Sequence, residues 1–205
     1  MVSPSNAQAV KALDSWPAWH ASRLALVGPA GSGKSHLVTG WAEATGAAVI
    51  TPHSSKIELE ALRGRPVLFE DADRSHREEL LFHLINMAEQ PGGALLITGR
   101  TPPSGWPAAL PDLRSRLNAM QVAQIDEPDD QILESMLRKF FRERNIRPTE
   151  DVFPYLLRRI ERSAPKALEV VQRLDEAADA EGRSVSRALA RQILESEPDT
   201  LRLFD

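Results

Sequence analysis

The chain has 205 residues, 42% of them hydrophobic and 26% charged, with no cysteine. These figures predict a soluble globular protein and exclude a disulfide framework, thiolate metal sites and thiol nucleophiles, in keeping with a reducing cytoplasm. The net charge of −4, from 25 basic and 29 acidic residues, argues against a chain that coats nucleic acid through bulk charge but leaves room for a local basic patch.

In chain order, Leu24-Ala-Leu-Val-Gly28 is a compact apolar run ending in glycines, which suits a buried parallel strand. A helix over 34–45 follows, then a second strand over 48–51. Val67-Leu-Phe69 predicts a third strand, ending in Glu70-Asp71. Residues 74–90 carry Leu80, Leu81, Leu84, Ile85 and Ala88 on one helical stripe. Strands over 94–98 and 120–125 complete the alternation, which predicts βαβ units around a five-stranded, mostly parallel sheet.

The pattern changes at Asp126-Glu-Pro128-Asp-Asp130. Asp129 or Asp130 can cap a helix whose Ile132, Leu133, Met136, Leu137, Phe140 and Phe141 form a core-facing stripe. Further helices are expected from about Thr149, Ser163 and Ser184, with Gly182 between the last two. The expected organisation is therefore an α/β part, 1–127, and a small all-helical part, 128–205. Eleven basic against 13 acidic residues in the first, and 14 against 16 in the second, leave −2 on each. Neither part is a basic module, and no 18-residue apolar stretch offers a membrane span.

Gly28-Pro-Ala-Gly31-Ser-Gly33-Lys34-Ser35 is a complete G-x-x-x-x-G-K-[ST] motif between a predicted strand and a predicted helix. Glycines let the backbone wrap a phosphate with its N–H groups, and the helix N-terminus adds positive potential. Lys34 would reach the β- and γ-phosphates, and the Ser35 hydroxyl would ligate Mg²⁺. The alternative is a glycine-rich turn without a ligand. Glu70 and Asp71 suit a second acidic element, one carboxylate near the metal and the other orienting a water; the alternative is an exposed acidic loop. Thr98, ending the fourth strand, would lie beside this pair.

Together these elements resemble an AAA+ ATPase module, more narrowly the DnaA-related proteins, and among those the Hda/HdaA regulators that inactivate the replication initiator DnaA. The likeness is carried by Val2-Ser-Pro-Ser-Asn6-Ala-Gln-Ala-Val10, by residues 24–37 with the phosphate loop, and by Phe69-Glu-Asp-Ala-Asp73. Leu95-Leu-Ile-Thr-Gly-Arg-Thr-Pro-Pro103 and Leu110-Pro-Asp-Leu-Arg-Ser-Arg-Leu117 are its more family-specific parts. The resemblance implies an AAA+ base followed by a helical lid, with ADP or ATP and Mg²⁺ as cofactors. Asn6 and its segment would line the adenine pocket. Gly28, Gly31, Gly33, Lys34, Ser35 and His36 would hold the nucleotide, while Ser35 and Glu70 would serve the metal. Asp71 takes the second acidic position and Thr98 the first sensor. Arg116 matches the arginine finger, which in this family faces a nucleotide bound by the neighbouring subunit, and Lys166 falls where the lid places a sensor arginine.

Three departures temper the carry-over. The acid pair runs Glu then Asp, so the shorter Asp71 sits further from an attacking water, and weak or no intrinsic ATPase is expected. Lys166 offers a point charge in place of a planar fork. No helix-turn-helix domain is expected after the lid, so an initiator or a sequence-specific DNA binder is not predicted. The implied partners are DnaA and the sliding clamp of DNA polymerase III, together with a possible homo-oligomer. A clamp motif is not found ahead of the adenine segment. Thr200-Leu201-Arg-Leu203-Phe204 resembles the hydrophobic half of that motif, the alternative being a tail folded on its own lid.

Other features read more plainly. His20, His36, His53, His76 and His83 show no ligand spacing and are assigned no metal. Arg138, Lys139, Arg142, Arg144 and Arg147, interrupted by Glu134 and Glu143, form a local basic face that reads as solvated, the alternative being a DNA site. Arg114 and Arg116 are expected in a loop after the fourth strand; a bridge from Arg116 to an acidic residue of its own domain is the alternative to a finger. The four tryptophans are too dispersed in the sequence for a base-stacking platform. Three functions follow: a nucleotide-bound regulator with Arg116 acting in trans, a DnaA/DnaC-like ATPase working as helicase loader or replication accessory factor, and a P-loop kinase. The kinase lacks recognisable acceptor-site residues.

Overall fold

Apolar runs too short to bury themselves pair edge to edge in the computed structural model, which describes residues 2–54, 57–75 and 77–195. The strands β1 (Arg23–Val27), β2 (Ala48–Ile50), β3 (Pro66–Phe69), β4 (Ala94–Gly99) and β5 (Val122–Gln124) form one parallel sheet in the order β2-β3-β4-β1-β5. Every residue of the central β1 and β4 is buried, whereas the edge strands expose Val49 and Val122. That is the signature of a sheet covered on both faces. The fold is thus the α/β architecture with a five-stranded parallel sheet that the alternating pattern predicts.

Described by itself, the unit spanning 2–127 carries α1 (Ala7–Asp14), α2 (Lys34–Thr45), α3 (Glu78–Ala88) and α4 (Pro111–Asn118). Side chains alternate between the two faces of each strand. Leu24, Leu26, Leu68 and Leu96 pack with α1 and α2 through Ala9, Leu13, Val38 and Trp41. Ala25, Val67, Phe69, Leu95 and Ile97 pack with α3 and α4 through Leu81, Leu84, Ile85, Leu113 and Leu117. Register places Leu26 opposite Thr98 and Phe69 opposite Ile97, so the C-terminal ends of β1, β3 and β4 are level.

Three expectations are corrected here. Arg114 and Arg116 belong to a helix, not a loop: Pro111 starts α4 and Leu113 and Leu117, four residues apart, bury its inner face. Helix α3 begins at Glu78 rather than near residue 74, because a 3-10 turn, Ala72–Arg74, comes first. Trp16, Trp19 and Trp41 are scattered in the sequence but gather in the fold, with ring centroids 5.1–5.7 Å apart; Trp19 and Trp41 are buried, so the group is core packing.

The second unit, from residue 128 onward, contains α5 (Asp130–Glu143), α6 (Val152–Leu157), α7 (Ala164–Glu181) and α8 (Arg187–Glu195), with no strand among the described residues. The Asp129 side chain accepts the Ile132 N–H at 3.0 Å and Ser163 caps α7 in the same way, each cap contributing about 1 kcal/mol. Helices α6 and α8 start three residues later than Thr149 and Ser184 suggest. Before α6, the Thr149 carbonyl accepts the Val152 N–H and closes a turn ahead of the helix, and at α8 it is Ser186 Oγ, not Ser184, that accepts the Leu189 N–H. Leu133, Leu137, Phe141, Val152, Leu156, Val171 and Leu189 centre a core belonging to this unit. No helix among the described residues is long and apolar enough to cross a membrane.

Candidate functional site

The end of β1 feeds directly into the phosphate-loop motif. A Cβ on Gly28 would lie 2.2 Å from the Ile125 carbonyl oxygen, so this position tolerates only glycine. Gly31 and Gly33 take φ of 73° and 97°, the left-handed region that turns the loop into α2. Lys34, Ser35 and His36 form the first helical turn, where backbone N–H groups have no intrahelical acceptor and the helix carries partial positive charge. Lys34 is 8% exposed and its Nζ donates to Gly28 O at 2.7 Å and Pro29 O at 2.8 Å. Burial pushes its pKa below the ordinary lysine value, Asp71 and Asp73 pull it back up, and Arg100 adds to the lowering. Ser32 is buried in the middle of the loop, and its Oγ finds no hydrogen-bond partner. A loop that needs glycine, gathers helix-end N–H groups, a cation and an unpaired hydroxyl fits a polyphosphate.

Beside it, the Ser35 hydroxyl donates to Glu70 Oε2 at 2.8 Å. These two groups lie close enough to share one hydrated cation. No cluster of three or more His, Asp or Glu residues able to hold a metal occurs among the described residues, so Mg²⁺ here would depend on phosphate oxygens and water for its remaining ligands. Asp71 adopts a left-handed conformation, φ 49° and ψ 40°, and its N–H donates to the buried Thr98 Oγ1 at 2.8 Å. Thr98 therefore fixes the turn that presents Asp71. Asp71 lies 3.8 Å from Arg74, and with Thr51, Pro52, His53, Glu70 and Arg74 it lines a cavity of about 300 Å³. Asp73 accepts the Arg100 N–H at 2.8 Å, tying the acidic turn to the end of β4.

The N-terminal segment lies next to this loop through the backbone: Asp126 N–H donates to Ser5 O at 2.9 Å, one residue beyond the Ile125 that crowds Gly28. Asn6 is buried, and its Oδ1 accepts the Ser3 N–H at 2.9 Å, closing the turn before α1. Lys166, in the first turn of α7, pairs with Glu169 at 2.9 Å. His36 is exposed on α2. Leu201, Leu203 and Phe204, the clamp-peptide candidates, lie outside the described residues, as does His76.

Arg116 is elsewhere. Its Nε lies 3.2 Å from Asp112 Oδ2, one turn back on α4, and its Nη1 lies 3.7 Å from Glu89 Oε1. Its guanidinium carbon is 5.5 Å from the centre of the Phe82 ring. Glu89 also pairs at 3.1 Å with Arg23, the first residue of β1. The phosphate loop leaves the other end of that strand, four residue steps or roughly 13 Å away. Arg116 thus occupies the opposite rim of the sheet from its own phosphate loop, held by carboxylates of its own domain, which is the intradomain bridge that the sequence leaves open as the alternative to a finger. Arg114 is an internal brace, donating to Trp106 O at 2.6 Å and Ala108 O at 3.2 Å.

Sequence reasoning passes over Ser32, Arg23 and Glu89. Ser32 occupies a freely variable position of the motif. Arg23 and Glu89 are 66 residues apart with no spacing rule to link them.

No protein-family profile matches the chain. Among solved structures, domain III of the Thermotoga maritima replication initiation protein DnaA aligns over 95% of this chain and 92% of its own, with a TM-score of 0.75 and 19% identity. The replication initiator DnaA bound to AMPPCP and single-stranded DNA aligns over 88% of this chain and 66% of its own, with a TM-score of 0.64 and 19% identity. The Thermotoga maritima RuvB Holliday junction branch migration motor aligns over 85% and 61%, at 0.64 and 18%. At such identities the likeness establishes the fold alone, the α/β core with a five-stranded parallel sheet described above.

Proposed function

We propose that this chain is a cytoplasmic, adenine-nucleotide-binding regulator of DNA replication initiation, which stimulates ATP hydrolysis by DnaA in a sliding-clamp-dependent way. Residues 1–127 act as the nucleotide-binding base and 128–205 as its lid. Gly28, Gly31, Gly33, Lys34, Ser35 and His36 hold the phosphates, the segment around Asn6 borders the base of the nucleotide, and Ser35 with Glu70 holds Mg²⁺. Lys166 is proposed as a further nucleotide-binding residue, adding positive charge toward the phosphates. A bound nucleotide stabilises the assembly-competent shape by mass action.

The observation that carries the proposal is the location of Arg116. A half-buried guanidinium on the far rim of the sheet from its own phosphate loop, held by the solvent-facing carboxylates of Glu89 and Asp112, is remote from its own nucleotide, which supports a role toward a neighbour's. There it contributes positive charge where negative charge develops on the γ-phosphoryl group. The tail around Leu201, Leu203 and Phe204 is the proposed contact with the clamp. A DnaA/DnaC-like ATPase acting as helicase loader is the second reading, and it is favoured by the Glu70, Asp71 and Thr98 cluster beside Ser35.

The test mixes the chain with ATP-loaded DnaA and DNA-loaded clamp. The expected outcome is little hydrolysis by the chain alone, strong stimulation of DnaA, and loss of that stimulation in Arg116→Ala with ATP affinity retained. Rapid turnover by the isolated chain would favour the ATPase instead. Leu203→Ala/Phe204→Ala is expected to weaken binding to a clamp-coated surface, and unchanged affinity would remove the tail from the proposal.

A further inference from the structure

Arg23 carries an unusual burden. It is 6% exposed at the start of a central strand, and neither its Nε nor its Nη1 has an aligned hydrogen-bond acceptor. Burial holds its pKa below the usual arginine value, Glu89 opposes that shift, and Arg116 adds to it. Glu89 supplies its paired carboxylate, at 3.1 Å. A buried guanidinium stripped of its counter-charge is strongly disfavoured, so Glu89 is pinned to the end of α3, where it caps the helix. The same Oε1 faces Arg116 at 3.7 Å.

We infer that Glu89, anchored by the buried Arg23, is the positioning residue of Arg116; this rests on the proposed trans action of Arg116. Three contacts from different directions define the guanidinium: Glu89 at the end of α3, Asp112 one turn back on α4 at 3.2 Å, and the Phe82 ring at 5.5 Å. Two arginines and two carboxylates leave the cluster neutral, so it does not repel an incoming phosphate. A side chain already ordered on its own surface loses less freedom when the interface forms, and its placement sets the rate.

The test uses the full chain with Glu89→Gln, Glu89→Asp and the charge-neutral pair Arg23→Met/Glu89→Gln. Stimulation of ATP-loaded DnaA on DNA-loaded clamp is read as maximal rate and half-saturating concentration of the chain, beside thermal unfolding. Glu89→Gln should lower the maximal rate roughly 10- to 100-fold with the half-saturating concentration nearly constant, and Glu89→Asp should recover part of the rate. The paired variant should regain thermal stability but not the rate. A partner-independent arm follows the Arg116 Nε–H resonance in the isolated chain, which should broaden in both Gln-containing variants. A wild-type or raised rate in the paired variant, or an unaltered resonance, overturns the positioning role, and does so alone when Arg116→Ala has lost stimulation. Full stimulation by Arg116→Ala overturns the proposed function and this inference with it.

Discussion

At the scale of single residues, Lys34 and Ser32 make opposite demands on the empty and loaded loop. Lys34 has a lowered pKa because burial penalises its charged form. Over the alkaline interval below 10.5, the ordinary value, the unfolded chain therefore holds more protons than the folded one, and stability rises with pH there. A polyphosphate beside the ammonium favours the charged form. Nucleotide binding is thus expected to take up a proton in that interval, seen as a calorimetric heat that varies with buffer ionisation enthalpy and vanishes in Lys34→Met. A buffer-independent heat across the interval would contradict it. Ser32→Ala removes a buried hydroxyl without a partner. It is expected to raise the stability of the nucleotide-free chain by roughly 1 kcal/mol, and to weaken ATP binding by a similar amount. Denaturant titration with and without ATP separates the two signs. The motif around these residues was legible because its chemistry is local in sequence. The partnerless state of Ser32 was not, since it depends on how Gly31 and Gly33 turn the backbone.

Secondary-structure elements were legible in proportion to how apolar they are. The strands and α5 declare themselves because burial on both faces, or on one stripe, leaves a plain sequence pattern. Helix α4 does not: Asp112 and Ser115 are exposed, Arg114 and Arg116 are half-buried, and only Leu113 and Leu117 are buried. Its helicity comes from packing beneath α3, a tertiary effect that local pattern underestimates. At the junction of β1 and α2, Gly28→Ala drives a Cβ into the backbone carbonyl of Ile125. It is expected to destabilise the chain by about 1–3 kcal/mol or more and to abolish ATP binding, both measurable by thermal shift with added nucleotide. Retained binding would mean that the strand end can shift to accommodate a methyl group.

Across the whole molecule, the core of the helical unit shares no residue with the two clusters that flank the sheet. Phe141 is buried in that core, against Phe153 at a centroid distance of 6.0 Å. Phe141→Ala is expected to cost about 3–5 kcal/mol, with hydrogen-exchange protection lost first from α5, α6 and α7 and retained in β1 and β4. Equal loss in the sheet would show that the two units unfold as one. The tryptophan group adds an optical consequence. Trp41 sits on the helix whose opening turn bears Lys34, and its indole stacks on Trp19 at 5.2 Å while Trp16 meets it edge-on. Coupled chromophores at such spacing respond to small changes in mutual tilt, so intrinsic emission and near-ultraviolet dichroism give a label-free report of any movement of that helix during loading.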